Sequence, residues 1–132
     1  MNYWMVKSEP TSYSWDDFTA KQEDVWDGVR NYQARNSLRD MRLGEPVLFY
    51  HSGKDKAIVG VAEVSEEAFA DPKDPAWIAV RLKVKKPLKS PVKLEMIKNE
   101  DRLSQLPMLK QSRLSVFPVG KEEFDLLLKM GS

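Results

Sequence analysis

Apolar and polar residues alternate along the chain in short segments, most of which have the period of a β-strand. WIAVRLKVKKP places apolar residues at every second position with Arg81, Lys83 and Lys85 between them, which predicts a half-buried strand with a basic outer face. PVLFYHS and AIVGVAEV are apolar runs separated by GKDK, and this arrangement predicts a β-hairpin with a glycine-containing loop. NYWMV near the start and RLSVFPV near the end predict two further strands.

Helical periodicity is limited to short segments between these strands. YSWDDFTA predicts a short helix that is capped by Ser14 and has two acids in its first turn. A second helix is predicted from a cap at Asn31 to Met41. The segments 92–99 and 121–130 predict a third short helix and an amphipathic closing helix.

The predicted second helix has two faces of different character. Its apolar positions repeat at i, i+4 and i+7 and predict a packed face: Ala34, Leu38 and Met41. The adjacent row repeats basic residues at the same spacing: Arg35, Arg39 and Arg42. The helix is therefore predicted to pack on one side and to present guanidinium groups to solvent on the other.

The pattern as a whole predicts an α+β fold in a single domain, residues 1–132. Five or six strands, hairpins and short connections favour a mixed, partly closed β-barrel with short peripheral helices over a doubly wound parallel sheet. No internal repeat or low-complexity linker marks a domain boundary, and the length suits one domain.

Composition narrows the classes of function. The chain has 42% hydrophobic and 31% charged residues, a formal net charge of +1 and no cysteine, which excludes thiol catalysis and thiolate metal sites. The start does not resemble a signal peptide and no segment suits a membrane span, so we expect a soluble, cytoplasmic protein without a membrane partner. Charge is sorted along the sequence, since residues 81–98 contain seven bases and one acid, and this can create one basic face.

The segment VWDGVRNYQARNSLRDMRLG, residues 25–44, has the composition of a recognition surface. Arginine can bind phosphate, asparagine can pair with a base edge, and aromatic rings can stack on a base. Gly28 would allow close approach of a ligand to the backbone. The candidates of these three kinds are Arg30, Arg35 and Arg113 for phosphate, the amides of Asn31, Gln33 and Asn36 for base edges, and Trp26, Tyr32 and Tyr50 for stacking. The other large aromatic residues are expected in the core: Trp4, Trp15, Phe49 and Trp77.

Catalytic motifs are not found. The single histidine, His51, lies at a predicted strand end, but no nucleophile motif, metal-ligand spacing or cofactor loop accompanies it. We therefore expect a binding protein without cofactor or metal rather than an enzyme. Two alternatives remain open, namely a nucleic-acid-modifying enzyme that uses His51, and a small-molecule or protein interaction module whose arginine row meets an acidic partner.

Six sequence blocks, in order, resemble the EVE domain family: YWMVKSEP, YSWDDF, VWDGVRNYQARNSLRDMRLGE, VLFYHS, IVGVAEV and SRLSVFPV. The resemblance runs from Tyr3 to about Phe124. The family is similar to PUA-like barrels and to the YTH readers of methylated adenine in RNA. The resemblance implies a reader whose pocket accepts a modified base flipped out of RNA or DNA.

The resemblance also implies which residues form the site. Its blocks add three segments to residues 25–44, namely KSEP at 7–10, YHS at 50–52 and SRLSV at 112–116. In YTH proteins a tryptophan forms one wall of the base cage, and the resemblance assigns this position to Trp26. Lys7, Ser8 and Asn31 are then expected near the base edge. The full set of candidate ligand-binding residues is Lys7, Ser8, Trp26, Gly28, Arg30, Asn31, Tyr32, Arg35, Asn36, Tyr50, His51, Ser52, Arg113 and Ser115.

Overall fold

Six strands form one mixed sheet in the computed structural model, which describes all 132 residues. The strands are β1 (Tyr3–Ser8), β2 (Glu23–Trp26), β3 (Pro46–His51), β4 (Ala57–Asp71), β5 (Asp74–Lys93) and β6 (Val116–Val119). Their order across the sheet is β2-β5-β4-β3-β1-β6. Only β1 and β3 pair in parallel, and every other neighbouring pair is antiparallel.

Five short helices cover the sheet: α1 (Trp15–Lys21), α2 (Tyr32–Asp40), α3 (Leu94–Lys98), α4 (Pro107–Lys110) and α5 (Lys121–Met130), with a 3₁₀ turn at Asp101–Leu103. The predicted caps are present. The Ser14 hydroxyl accepts a hydrogen bond from the Asp17 N–H, and the Asn31 side chain accepts one from the Ala34 N–H. All four predicted helices form, whereas α4 and the 3₁₀ turn lacked a periodic signal.

The longest elements are β4 and β5, which form an antiparallel hairpin interrupted by several register shifts. The predicted basic outer face is present on β5, but its cations are paired across the hairpin. Glu66 accepts from Arg81 at 3.1 Å, and Glu63 lies 3.1 Å from both Lys83 and Lys85. This pairing offsets most of the charge of Arg81, Lys83 and Lys85, whereas Lys86, Lys89 and Lys93, further along β5, are exposed and have no carboxylate partner.

The sheet is open, because its edge strands β2 and β6 do not pair with each other. It nevertheless curls strongly. Trp26 in β2 and Phe49 in β3 are three strands apart, which is about 14 Å in a flat sheet, yet their ring centroids are 5.5 Å apart. The structure confirms a mixed sheet with short peripheral helices. Closure into a barrel is not confirmed by the strand pairing.

The core lies on the concave side of the sheet, where aromatic rings meet. Phe18 of α1 stacks on Phe49 with centroids 5.5 Å apart, and Trp15 meets Phe49 edge-on at 5.2 Å. Gly60 in β4 makes room for Trp15, since a Cβ at this position would lie 2.4 Å from the indole ring. Trp77 was expected in this core but is only half-buried and lies outside it. None of the helices is long and apolar enough to span a bilayer.

Candidate nucleic-acid interface

A cleft of about 670 Å³ opens between the two edges of the curled sheet. The end of β1 and Ser115, which precedes β6, form one side, and β2 with the loop that follows it forms the other. The lining residues are Lys7, Ser8, Glu9, Ser12, Tyr13, Lys21, Asp24, Val25, Trp26, Asp27, Gly28, Val29, Arg30, Lys73 and Ser115. Six residues predicted from sequence are thereby brought together: Lys7, Ser8, Trp26, Gly28, Arg30 and Ser115.

The aromatic wall of the cleft consists of Trp26 and Tyr13. Their rings meet edge-on with centroids 6.2 Å apart at an angle of 73°. Trp26 is only 8% exposed and belongs to the core cluster, so it both lines the cleft and supports the fold. Sequence reasoning treated core and binding roles for this tryptophan as alternatives, and the structure combines them. Tyr13 is half-buried and offers more of its ring to a ligand.

A hydrogen-bonded acid lies beside this wall. The Tyr13 hydroxyl donates to Asp24 at 2.6 Å, and Lys21 donates to the same carboxylate at 3.3 Å. Burial opposes ionisation of Asp24, but the hydrogen bonds from Tyr13, from the Val25 N–H and from Lys21 outweigh it and lower its pKa. Burial and then Asp24 itself raise the pKa of Tyr13 well above its ordinary value, so its ring remains neutral at physiological pH.

Asp71, at the end of β4, holds in place the loop that follows Trp26 and continues the same side of the cleft. Its buried carboxylate accepts from the Gly28 N–H and from Arg30 Nη1, each at 2.9 Å, and from the Lys73 N–H at 2.7 Å. Burial alone would raise the pKa of Asp71, but these hydrogen bonds, led by the one from Arg30, lower it to about 2. Gly28 adopts φ = 78°, the left-handed conformation that favours glycine, so the loop needs this residue for its backbone path.

Lys7 places its ammonium group at the base of the cleft. Its Nζ donates to the Ser112 carbonyl at 3.0 Å and lies 5.7 Å from the Tyr50 ring and 5.8 Å from the Phe117 ring. Burial lowers the pKa of Lys7. The lysine backbone N–H donates to the Ser115 carbonyl at 2.9 Å, which ties the two strands at this side of the cleft.

Tyr50, His51 and Ser52 lie outside the cleft lining, although β3 brings them close to its base. Tyr50 is 3% exposed, and burial raises its pKa. His51 Nε2 accepts from the Trp15 N–H at 2.9 Å, which makes Nδ1 the protonated nitrogen that donates to Asp55 at 3.1 Å. The Ser52 N–H donates to the Ser8 carbonyl at 2.9 Å. All three therefore support the paired strands β1 and β3 beside the cleft without lining it.

The remaining candidates lie on the surface away from the cleft lining: Asn31, Tyr32, Arg35, Asn36 and Arg113. The Asn31 side chain caps α2, and the Asn36 amide accepts from Arg39 at 3.3 Å. Three of the seven arginines have a carboxylate partner: Arg30, Arg81 and Arg102. The four without one are Arg113 and the predicted row Arg35, Arg39 and Arg42, of which Arg42 lies beyond the end of α2.

A second cavity, of about 410 Å³, lies at α3 and is lined by charged and amide side chains with a single apolar residue, Leu94. It contains both signs of charge and no aromatic ring. A flat apolar ligand would find no stacking partner there. The cleft between the sheet edges is therefore the better candidate for recognition of a base.

Comparison with known proteins agrees with the resemblance seen in the sequence. The family model described as EVE domain matches residues 2–130. The chain belongs to the EVE domain family. It is similar to mouse thymocyte nuclear protein 1, with 35% identity over an alignment that covers 98% of this chain and 73% of the mouse protein.

Two solved structures show the same fold as this EVE domain. A Rhodopseudomonas palustris protein is 46% identical, with a TM-score of 0.94 and coverage of 99% of this chain and 93% of that chain. The human THYN1 protein, in complex with DNA containing 5-methylcytosine, is 32% identical with a TM-score of 0.94. That match covers 100% of this chain and 98% of the human one.

Sequence reasoning missed nine of the fifteen residues that line the cleft of this EVE domain, and six of these are polar or charged: Glu9, Ser12, Lys21, Asp24, Asp27 and Lys73. Tyr13 was also missed, although it stands in the block YSWDDF that carries part of the resemblance. No sequence pattern indicated a role for Asp71. Its role depends on hydrogen bonds to the loop after β2, and this loop lies more than 40 residues earlier in the chain. Local patterns identify helix caps and strands, but they do not pair distant loops.

Proposed function

We propose that this EVE domain is a reader that binds DNA carrying a modified base and that it holds the base, 5-methylcytosine or one of similar shape, in the cleft between the sheet edges. The observation that carries the proposal is that this cleft joins an aromatic wall to several polar groups in a chain with the fold of a DNA-bound human relative. A cleft of about 670 Å³ is within the range of small-ligand pockets and can admit a nucleoside.

The chemistry of the walls suits a cytosine-type base. Tyr13 and Trp26 offer ring surface to the base and to a 5-methyl group. Cytosine carries an exocyclic amine that donates hydrogen bonds, and the carboxylates of Asp24 and Asp27 are acceptors in the lining. Thymine has an oxygen at the same position, so these carboxylates would disfavour it.

Cations at the mouth of the cleft suit the phosphates that flank the base. Arg30 and Lys73 stand on the wall that Asp71 holds, and Lys21 stands on the side of Asp24. Each is already near a carboxylate, so their contribution is expected to be modest. Extruding a base costs a few kcal/mol and least in a single strand, so single-stranded DNA should bind more tightly than an intact duplex.

The proposal does not require catalysis. His51 makes two internal hydrogen bonds and lies outside the cleft lining, so it is poorly placed for acid–base chemistry on a bound base. Incubation with modified oligonucleotides and mass spectrometry of the nucleosides should reveal no product. Product that disappears in His51→Gln would favour a modifying enzyme instead.

Binding isotherms for matched oligonucleotides test the proposal. One DNA sequence is prepared with cytosine, 5-methylcytosine or thymine at one position, and an RNA version serves as comparison. Burying one methyl group contributes roughly 0.8 kcal/mol, or about a fourfold preference over cytosine. Asp27→Asn should lessen the rejection of thymine while leaving the fold intact, since Asp27 makes only a 3.5 Å contact with Lys73. Equal affinity for the three DNA strands would contradict the proposal.

A further inference from the structure

Next to the cleft lies an exposed aromatic surface to which the proposed function gives no role. Tyr32, the first residue of α2, is 66% exposed, and its ring centroid lies 5.1 Å from that of Trp77 in β5. The guanidinium carbon of Arg35 lies 4.8 Å from the Tyr32 centroid and 5.4 Å from the Trp77 centroid. We refer to Tyr32, Arg35 and Trp77 as the aromatic platform.

The platform exposes ring surface and guanidinium N–H groups that make few contacts within the fold. Isolated exposed apolar residues are ordinary, but two adjacent rings with an arginine beside both form a patch with a defined chemistry. Arg35 has no carboxylate partner, its Nε has no hydrogen-bond partner, and its Nη1 makes a single long contact of 3.5 Å with the Ala76 carbonyl. Its terminal N–H groups are therefore available to an anionic ligand.

The platform is continuous with the cleft through Arg30. This residue lines the cleft, and its guanidinium carbon also lies 5.7 Å from the Trp77 ring. Tyr32 follows Arg30 by two residues, so their Cα atoms are no more than about 7.6 Å apart. Nucleotides in a stacked strand are spaced by about 3.4 Å, so a strand with one base in the cleft passes the platform within about two nucleotides.

Charge around the platform also favours a nucleic-acid strand. The first turn of α2 contains no acidic residue, so the positive end of the helix is not neutralised by its own side chains. Arg39, on the same helix, and Arg42, two residues beyond its end, also lack a carboxylate partner. The positive charge at this helix would therefore attract the phosphates of a nucleic-acid strand where the strand leaves the cleft.

We propose that the aromatic platform stacks a second nucleobase of the strand whose modified base enters the cleft, while Arg35 contacts an adjacent phosphate. The inference rests on the proposed function, because it assigns the neighbouring part of the same ligand. Tyr32 supplies the stacking surface, and Trp77 and Arg35 hold its ring from behind. The platform would add affinity for a strand without adding selectivity for the modification.

Substitution of Tyr32 tests the stacking. The probe is a short, labelled single-stranded DNA with one central 5-methylcytosine, and its affinity is measured by fluorescence anisotropy. Tyr32→Ala should weaken binding by about 5- to 150-fold, the range for loss of one base–aromatic stack. Tyr32→Phe should bind like the wild type because it keeps the ring. Leu43→Ala, which truncates a side chain that is 65% exposed, is the matched control and should also bind normally.

An abasic scan locates the second base. Each nucleotide near the 5-methylcytosine is replaced in turn by an abasic residue. At one position the abasic residue should weaken binding to the wild-type protein about as much as Tyr32→Ala weakens binding to the intact strand. At that same position the abasic residue should not weaken binding to Tyr32→Ala any further. Losses that add independently at every position would overturn the stacking assignment.

The free nucleoside 5-methyl-2′-deoxycytidine separates this inference from the proposed function, because it occupies the cleft alone and should bind Tyr32→Ala normally. If Tyr32→Ala binds the strand with wild-type affinity per folded molecule, or loses only thermal stability, the platform is overturned while the cleft assignment stands. If the wild type does not distinguish 5-methylcytosine from cytosine but still needs Tyr32 for strand binding, the proposed function fails and the platform stands. Failure of the wild type to bind any strand overturns both.

Discussion

Replacing Asp71 by asparagine should damage both the stability of the fold and the shape of the cleft. The carboxylate receives three hydrogen bonds, from the Gly28 N–H, the Lys73 N–H and Arg30 Nη1. Asparagine retains one acceptor oxygen and replaces the other by a donor, so at least one buried donor loses its partner. The wall formed by residues 28–30 would then lose the contact that holds it against the β4–β5 hairpin.

The size of the effect follows from the pKa of Asp71, which falls from an ordinary 3.8 to about 2. This difference corresponds to about 2 kcal/mol, which solvent screening near the partly exposed Arg30 reduces to about 1–2 kcal/mol. The unpaired donor adds about 1–3 kcal/mol, so Asp71→Asn should lower the free energy of unfolding by roughly 2–5 kcal/mol at pH 7.

The pH dependence has a definite sign. Because the pKa of Asp71 is lower in the folded protein than in the unfolded chain, its ionic contribution is complete near neutrality and is lost as the pH falls below 5 towards 2. The difference in unfolding free energy between the wild type and Asp71→Asn should therefore shrink on acidification, with about half of the ionic part gone by pH 3.

Urea unfolding of both proteins at pH 7, 5, 4 and 3 measures this difference. Glu66→Gln is the matched control, since it also breaks a carboxylate–arginine pair but an exposed one, and it should cost less than about 1 kcal/mol. A difference for Asp71→Asn below that of the control, or one that grows as the pH falls, would show that the three hydrogen bonds to the ionised Asp71 carboxylate do not stabilise the fold.

Three further substitutions test other parts of the structure. Gly60→Ala should lower the free energy of unfolding by at least about 1–3 kcal/mol in urea titrations, because the new methyl group would lie 2.4 Å from the Trp15 ring; an unchanged midpoint would contradict this packing. His51→Ala should cost about 1–3 kcal/mol of stability by orphaning the Trp15 N–H, with ligand affinity per folded molecule unchanged; a selective loss of affinity would instead place His51 in the site. Arg113→Ala should reduce the salt slope of single-strand binding by about 0.7 if Arg113 neutralises one phosphate, whereas Arg102→Ala, whose arginine is paired with Glu100, should leave the slope as it is.

Much of the fold could be predicted from the sequence because its signals are local. The caps at Ser14 and Asn31, the hairpin around the glycine-containing loop and the alternation in β5 each depend on residues close together in the chain. The strand β2 escaped prediction since it is only four residues long and its last residue, Trp26, was interpreted as a residue that stacks on a base. Its strand character comes from pairing with β5, which no local pattern encodes.

The site was predictable only in part, for a related reason. Residue types in the segment 25–44 indicated recognition, but the structure divides that segment between a cleft wall at 26–30 and the helix α2. Trp77 was expected in the core because of its residue type, yet it lies half-buried beside Tyr32. Composition can suggest that a surface binds a ligand, whereas the division into pocket and platform depends on how β2 and β5 are placed by the sheet.

If a modified base enters the cleft between the two sheet edges, NMR titration of the isotopically labelled protein will locate it residue by residue. Addition of single-stranded DNA with one 5-methylcytosine should shift the amide signals of residues 7–8, 26–30 and 115 and the indole signal of Trp26. The free nucleoside should shift this same set without moving the signals of Tyr32 and Trp77. Perturbations confined to the cavity at α3, around Lys93 and Lys98, with the cleft signals unchanged, would contradict the account.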